Sequence, residues 1–482
     1  MKNIALMKGV NRSLILVLSF SFLLFVRCNS VSDKKNVTQN TPPQQVKKIE
    51  IKLTPGEIIP NVPCSADPSI TYALYVPAYY DTSLRLAIIC FFDPHGDGSL
   101  PLTKYKTIAD IYGFILCGSN HSRNGMPIDA ASKGAVTFIN DVKERVKFDA
   151  NGLYLAGFSG GSRVAGNTAV SVGGIAGVIG CSASIPDPTG KVGSRFTFFG
   201  IAGTGDFNMR EMKALDKQLD NSTVRHFLQF FDGKHEWCPV ATMEEAMKWL
   251  ALTAMKDKVV IPNDSFINNI QNKLIQEVNQ NRLNGAIYEG WYSEKKLIAF
   301  MDGLRDVTSY KKQVSEIENS QAYKNQLQYR QGLEQQEDQM RSKYSQAFNS
   351  QDEKWWENEM RKMNTEAKTL QITEQKQSVE RVLGSLSISA YMQVNNALKS
   401  SNWQEAEKFI TLYKFIDPTN PEHAYLSGCV EAKKGNSEKA IDELNEAIKL
   451  GFTDYSRMYN DSMLTSLKPT QAFKVLTDQI KK

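Results

Sequence analysis

Three ionisable or nucleophilic residues stand in glycine-containing turns, each directly after an apolar run. Ser159 sits in Gly157-Phe158-Ser159-Gly160-Gly161, after Leu153-Tyr154-Leu155-Ala156 and before the helix-like stretch Ser162 to Ser171. Asp206 closes Gly203-Thr204-Gly205-Asp206, after the run Arg195 to Ala202 (RFTFFGIA). His235 lies in Asp232-Gly233-Lys234-His235-Glu236-Trp237, after His226 to Phe231 (HFLQFF). A serine hydroxyl is a weak nucleophile until a neighbouring base takes its proton. An imidazole titrates near neutrality, so His235 can accept that proton and return it to a leaving group. A carboxylate such as Asp206 would fix the imidazole tautomer and stabilise the imidazolium that forms. Asp232, nearer the histidine in the chain, is the rival acid. Position at the end of an apolar strand favours Asp206, and Glu236 reads as a surface neighbour. The chemistry expected of such a set is acyl transfer through a covalent intermediate.

Serine in G-x-S-x-G between a strand and a helix, followed in chain order by acid and then histidine, resembles the α/β-hydrolases. The resemblance covers roughly residues 65 to 255 and implies an oxyanion hole of backbone N–H groups. One donor would be Gly160, the residue after the nucleophile. The other would come from the loop after the third strand. There the run Leu86 to Phe92 (LAIICFF) enters Asp93-Pro94-His95-Gly96-Asp97-Gly98, and His95-Gly96 resembles the family's His-Gly element. Gly96 and Asp97 are both candidates for the second donor. His121 and Arg123, in the loop after Phe114 to Cys117, stand where substrate could be touched, because ligands bind at strand carboxyl ends. His226 and His423 read as structural.

The elements that must carry these residues alternate. Strands are expected at Thr71 to Val76, at the runs above and at Gly174 to Ile179. Helices are expected at Leu102 to Ile111, Ala130 to Val146, Asn208 to Leu219 and Val240 to Met255. Strands separated by helical stretches predict a mostly parallel α/β sheet. Gly180 to Ser194 is too short to house a large lid. The core therefore looks like the short hydrolases of the dienelactone-hydrolase or polyhydroxybutyrate-depolymerase kind, a likeness of fold that leaves the substrate open.

The 482-residue chain has room for further domains, and its net charge of +5 is spread without a basic aromatic stripe. That excludes nucleic acid as an expected partner. Lys2, Lys8 and Arg12 precede the apolar run Leu14 to Val26, which is short for a membrane span and fits a signal peptide over 1–28. Cys28 follows as in a bacterial lipoprotein signal, where it would carry lipid, although Arg27 replaces the usual small residue. Residues 29–50 read as a flexible tether. An exported, lipid-anchored protein follows as an expectation. No cysteine spacing suggests a metal site, and no cofactor is implied. Cys90 and Cys117 read as free core thiols, and Cys238 could pair with Cys64 or Cys181.

Residues 51–260 are assigned to the hydrolase-like domain. Residues 261–385 turn rich in Gln, Glu, Lys and Asn and read as a helical connector. A core cut before residue 264 would then stand alone. Residues 386–482 carry a repeat. GCVEAKKGNSEKAIDELNEAI resembles a tetratricopeptide helix-turn-helix, and Ala406 recurs as Ala440 at the 34-residue period of that family. The resemblance implies a concave surface for a protein or peptide partner. The function expected is an exported carboxylic-ester hydrolase with a binding domain. The alternatives are an inactive hydrolase-fold scaffold acting through the repeats and a serine exopeptidase.

Overall fold

The computed structural model describes residues 50–186 and 196–481. The signal segment, Cys28, the tether up to residue 49 and Arg195 lie outside the described residues. Among the described residues eight strands form one sheet: β1 (Ile58–Pro63), β2 (Thr71–Tyr75), β3 (Leu86–Phe92), β4 (Phe114–Ser119), β5 (Phe148–Phe158), β6 (Gly177–Cys181), β7 (Thr197–Gly203) and β8 (His226–Phe231). Their order is β1-β2-β4-β3-β5-β6-β7-β8. Strands β1, β2 and β4 pair antiparallel, and every pair from β4 to β8 is parallel. Helices α1 (Ser99–Tyr112), α2 (Ile128–Arg145), α3 (Gly160–Ser171) and α4 (Met209–Leu219) supply the crossovers, and with α5 (Val240–Lys256), which follows β8, they cover both faces. A parallel strand covered on both sides must be apolar throughout. Accordingly, β3 is buried from Ile88 to Phe92, and β7 along its whole length.

The strand β1 has no counterpart among the expected elements. Pro60, Asn61 and Pro63 break its pattern, and prolines are tolerated there because β1 is an edge strand with β2 as its one neighbour. The strand expected at Gly174 to Ile179 starts later, at Gly177, and β5 starts earlier, at Phe148.

The chain continues entirely in helices: α6 (Asp264–Leu283), α7 (Ile287–Met301), α8 (Thr308–Asn319), α9 (Gln321–Ser350), α10 (Glu353–Thr369), α11 (Thr373–Lys399), α12 (Trp403–Ile416), α13 (Pro421–Lys434), α14 (Ser437–Lys449), α15 (Tyr455–Asn460) and α16 (Gln471–Asp478). The change of composition near residue 260 does not coincide with a change of core. Ile267, Ile270, Leu274, Val278, Leu297, Phe300 and Met301 from α6 and α7 join the same apolar cluster as Phe199, Phe227 and Trp249. Phe300 meets Phe227 edge-on at 5.9 Å. A second apolar cluster, which includes Leu74, Ile88, Phe138 and Phe198, also belongs to the sheet and its helices. A third runs from Tyr344 through Ile480 and contains Trp356, fully buried against Phe348 at 4.8 Å.

Candidate active site

Ser159 lies between the end of β5 and the start of α3, with φ 53° and ψ −122°. That left-handed φ is unfavourable for a residue with a Cβ and is held by its surroundings. The Ser159 N–H donates to Cys181 O at 2.9 Å, and Ser159 O accepts from Ser162 N at 3.0 Å. The flanking glycines permit the tight crossing. A Cβ on Gly161 would lie 1.9 Å from Phe92 O, and one on Gly157 would lie 2.2 Å from Gly161 O. The local sequence thus forces the serine out at the carboxyl edge of the sheet.

The other two residues come to it from the ends of β7 and β8. His235 Nε2 is 2.9 Å from Ser159 Oγ. His235 Nδ1 is 2.9 Å from Asp206 Oδ1. A carboxylate only accepts, so the proton is on Nδ1 and the Nε2 lone pair faces the serine hydroxyl. Asp206 is fully buried, and its Oδ1 also accepts from Asn208 N at 2.8 Å. Among the described residues its Oδ2 has no hydrogen-bond partner. The two loops are tied directly, because Gly205 N donates to Gly233 O at 2.8 Å. The imidazole is flanked by Phe207 at 4.2 Å and Phe158 at 4.8 Å between ring centroids. Asp232, the rival acid, is exposed and makes no hydrogen bond or ion pair with His235.

The loop after β3 is a compact turn around Asp93. The His95 N–H donates to Asp93 Oδ1 at 2.8 Å, and Trp237 Nε1 donates to Asp93 Oδ2 at 2.8 Å. The Gly96 N–H closes the turn onto Asp93 O at 3.1 Å, so it is already committed. Asp97, the other residue expected as a second oxyanion donor, has an N–H without an acceptor among the described residues, and its carboxylate caps the start of α1 by accepting from Ser99 N at 3.0 Å and Leu100 N at 3.2 Å. The Gly160 N–H, at the first position of α3, has no intrahelical partner either. A hydrogen bond to Asp93 raises the pKa of His95 against the opposing effect of desolvation, and Asp93, Glu422 and Asp454 add attraction. Glu422 belongs to α13, and Asp454 is the N-cap of α15.

A pocket of about 220 Å³ opens at the start of α3, lined by the two glycines that follow Ser159 and not by Ser159 or His235 themselves. Gly160, Gly161, Pro94 and Asn124 line it together with Met126, Ile128 and Val164, and Arg123 and Arg163 stand at it. Arg163 is held by Glu211 at 2.8 Å, whereas Arg123 has no ion partner among the described residues. His121 is elsewhere: its imidazole packs against Gly134 on α2, outside the pocket lining. Of the two proposed substrate contacts, only Arg123 is brought to the pocket. Asn124 and Arg163 were not anticipated. Arg163 follows the serine by four residues, one helical turn, and that spacing was the available signal.

The six cysteines of the described residues are free thiols. Cys238, weighed for a disulfide with Cys64 or Cys181, is a free thiol that lies in hydrogen-bond contact with the Cys181 thiol and 3.6 Å from Tyr105 Oη. Among the described residues no group of three or more His, Cys, Asp or Glu could hold a metal ion.

No family model and no curated protein matches the chain. Solved structures do resemble part of it. Esterase B from Lactobacillus Rhamnosis is 17% identical, with TM-score 0.36 over 42% of this chain and 88% of that one. An esterase from Pyrobaculum calidifontis is 14% identical, with TM-score 0.33 over 41% and 82%. A fluorophosphonate-binding serine hydrolase F from Staphylococcus aureus is 12% identical, with TM-score 0.33 over 41% and 98%. At these values no chemistry passes from those proteins to this chain, and the functional reading rests on its own side chains.

Proposed function

We propose that the chain is an exported serine hydrolase that cleaves carboxylic esters through an acyl-enzyme on Ser159. The observation that carries this is the unbroken line from Ser159 Oγ to His235 Nε2 and from His235 Nδ1 to buried Asp206, each step 2.9 Å. As Oγ attacks the ester carbonyl, His235 takes its proton and then delivers it to the departing alcohol. Water repeats the sequence on the acyl-enzyme. Asp206 stabilises the imidazolium in both halves. The Gly160 N–H and the uncommitted Asp97 N–H are the proposed donors to the oxyanion. Met126, Ile128 and Val164 give the pocket an apolar side for an acyl chain, and Arg123 gives it a cationic edge.

The lipoprotein-like signal would place the enzyme outside the cytoplasm, tethered at Cys28. We read α12 to α14 as tetratricopeptide-like and as a surface for a protein partner. Support comes from Ala406 and Ala440, both fully buried at the 34-residue spacing. The test is a panel of p-nitrophenyl esters from acetate to palmitate beside aminoacyl p-nitroanilides. Turnover of esters with little of the anilides is expected. Turnover confined to the anilides would make the protein a peptidase, and none at all on folded protein would leave a scaffold.

A further inference from the structure

The loop that carries the acid is gripped by helices that the sequence assigns to a separate connector. Thr204 and Phe207 bracket Asp206, and each offers its carbonyl to an arginine from that region. Arg381 on α11 donates from Nη1 to Thr204 O at 2.6 Å. Arg341 on α9 donates from Nη2 to Phe207 O at 3.0 Å. One carboxylate joins the two guanidinium groups. Glu337, fully buried, accepts from Arg381 Nε at 2.8 Å and stands 2.8 Å from Arg341 Nη2. Arg381 therefore uses two edges of one planar fork, with Glu337 on one and the acid loop on the other.

The same helix presses on the histidine's neighbours. A Cβ on Gly384 would come within 3.1 Å of the Phe207 ring, the ring that lies over His235 at 4.2 Å. Glu380, one turn earlier, stands 3.6 Å from Lys234, the residue before His235. Ordinary docking between two modules would need only surface pairs, and these exist in Arg210 with Asp338 and Lys213 with Glu334. Such exposed pairs contribute little. A buried carboxylate bridging two arginines is a different device, costly when one partner is missing. Here it ends on the two carbonyls that flank one side chain of the site.

We propose that Glu337, Arg341 and Arg381 are positioning residues that hold the Thr204–Phe207 loop so that the Asp206 carboxylate stays aligned on His235. The helical segment is then part of the catalytic unit. This rests on reading Ser159, His235 and Asp206 as a triad, and small misplacements of such a group are expensive.

The experiment measures p-nitrophenyl acetate hydrolysis by the full chain carrying Glu337→Gln, alone and combined with Asp206→Asn, with thermal unfolding recorded for each. Glu337→Gln should lower kcat about tenfold or more with KM within about twofold. Combined with Asp206→Asn it should add less than about twofold, because what it aligns is already impaired. Asp338→Asn, which removes an exposed pair, should leave kcat unchanged. If Glu337→Gln does not fold, Arg341→Met carries the same comparison. Wild-type kcat in a folded Glu337→Gln, or an equal fold-loss in both backgrounds, overturns the proposal. Failure of a fluorophosphonate to label the wild type would remove the triad reading and this inference together. A labelled wild type with an indifferent Glu337→Gln removes this inference alone.

Discussion

Asp206→Asn is the substitution whose outcome the geometry constrains most closely. One oxygen, Oδ1, accepts from both His235 Nδ1 at 2.9 Å and Asn208 N at 2.8 Å. An asparagine has one oxygen to offer, and keeping it at that position satisfies both donors. Turning the amide would leave both N–H groups facing an NH₂. The oxygen therefore stays, the tautomer is preserved, and what is lost is charge. A hydrogen bond to a charged group is worth about 1.5–3 kcal/mol against about 0.5–1.5 for a neutral one. The difference of about 1–2 kcal/mol corresponds to roughly 5- to 30-fold at about 1.4 kcal/mol per decade. Burial strengthens the missing attraction, so the expected fall in kcat is about 10- to 100-fold with KM little changed. Steady-state kinetics on a p-nitrophenyl ester, with a melting curve to certify the fold, measures it. A fall below about threefold would refute Asp206 as the acid and return attention to Asp232. A fall near 10⁴, the size seen when the wrong tautomer is imposed in a triad, would refute the shared-oxygen geometry.

A chain ended near residue 262 should fail to fold. It loses seven buried apolar side chains of α6 and α7 from the sheet's own cluster, each worth about 1.5–3 kcal/mol, against a total stability of about 5–15 kcal/mol. A soluble, cooperatively melting fragment 50–262 would contradict this, whereas a chain ended after Asn319 should fold and hydrolyse weakly. Gly161→Ala should abolish soluble expression or cost more than about 2 kcal/mol, since its Cβ would meet Phe92 O at 1.9 Å. Gly173→Ala, with nothing within 4 Å, should be neutral in the same urea titration. The His95 pKa is raised in the folded protein, first by its hydrogen bond to Asp93. Its contribution to stability is then fully present below about pH 6.5 and is lost as pH rises through the raised value. His95 is two-thirds exposed, so His95→Gln should cost less than about 1 kcal/mol at pH 5.5 and nothing at pH 8.5 in urea unfolding. A difference that grows with pH would contradict that sign.

The strands that carry Ser159, Asp206 and His235 could be read from the sequence because buried parallel strands are short apolar runs ended by glycine turns. The three side chains followed, since each sits immediately after such a run. What escaped reading depends on contacts distant in the chain. Nothing in Asp93-Pro94-His95-Gly96 announces that the Gly96 N–H closes a turn, or that Trp237 caps Asp93 from 144 residues away. His121 was placed at the site by its loop, but its ring turns onto Gly134 because that glycine leaves room on α2. The boundary near residue 260 was drawn from composition, which registers solvent-facing Gln and Glu more strongly than the sparse apolar stripe of Ile267, Ile270 and Leu274. Glu337 and its two arginines looked like ordinary charges of an amphipathic helix, and only the approach of α9 and α11 to the loop after β7 gives them a task.

The central claim is that Ser159 is a nucleophile activated by His235. A fluorophosphonate probe applied to the full chain, with the modified peptide located by mass spectrometry, tests it most directly. Labelling of wild type on Ser159, its absence in Ser159→Ala and strong suppression in a folded His235→Ala are the predicted results. Folded wild-type protein that stays unlabelled, or labelling that persists in Ser159→Ala, would contradict the account.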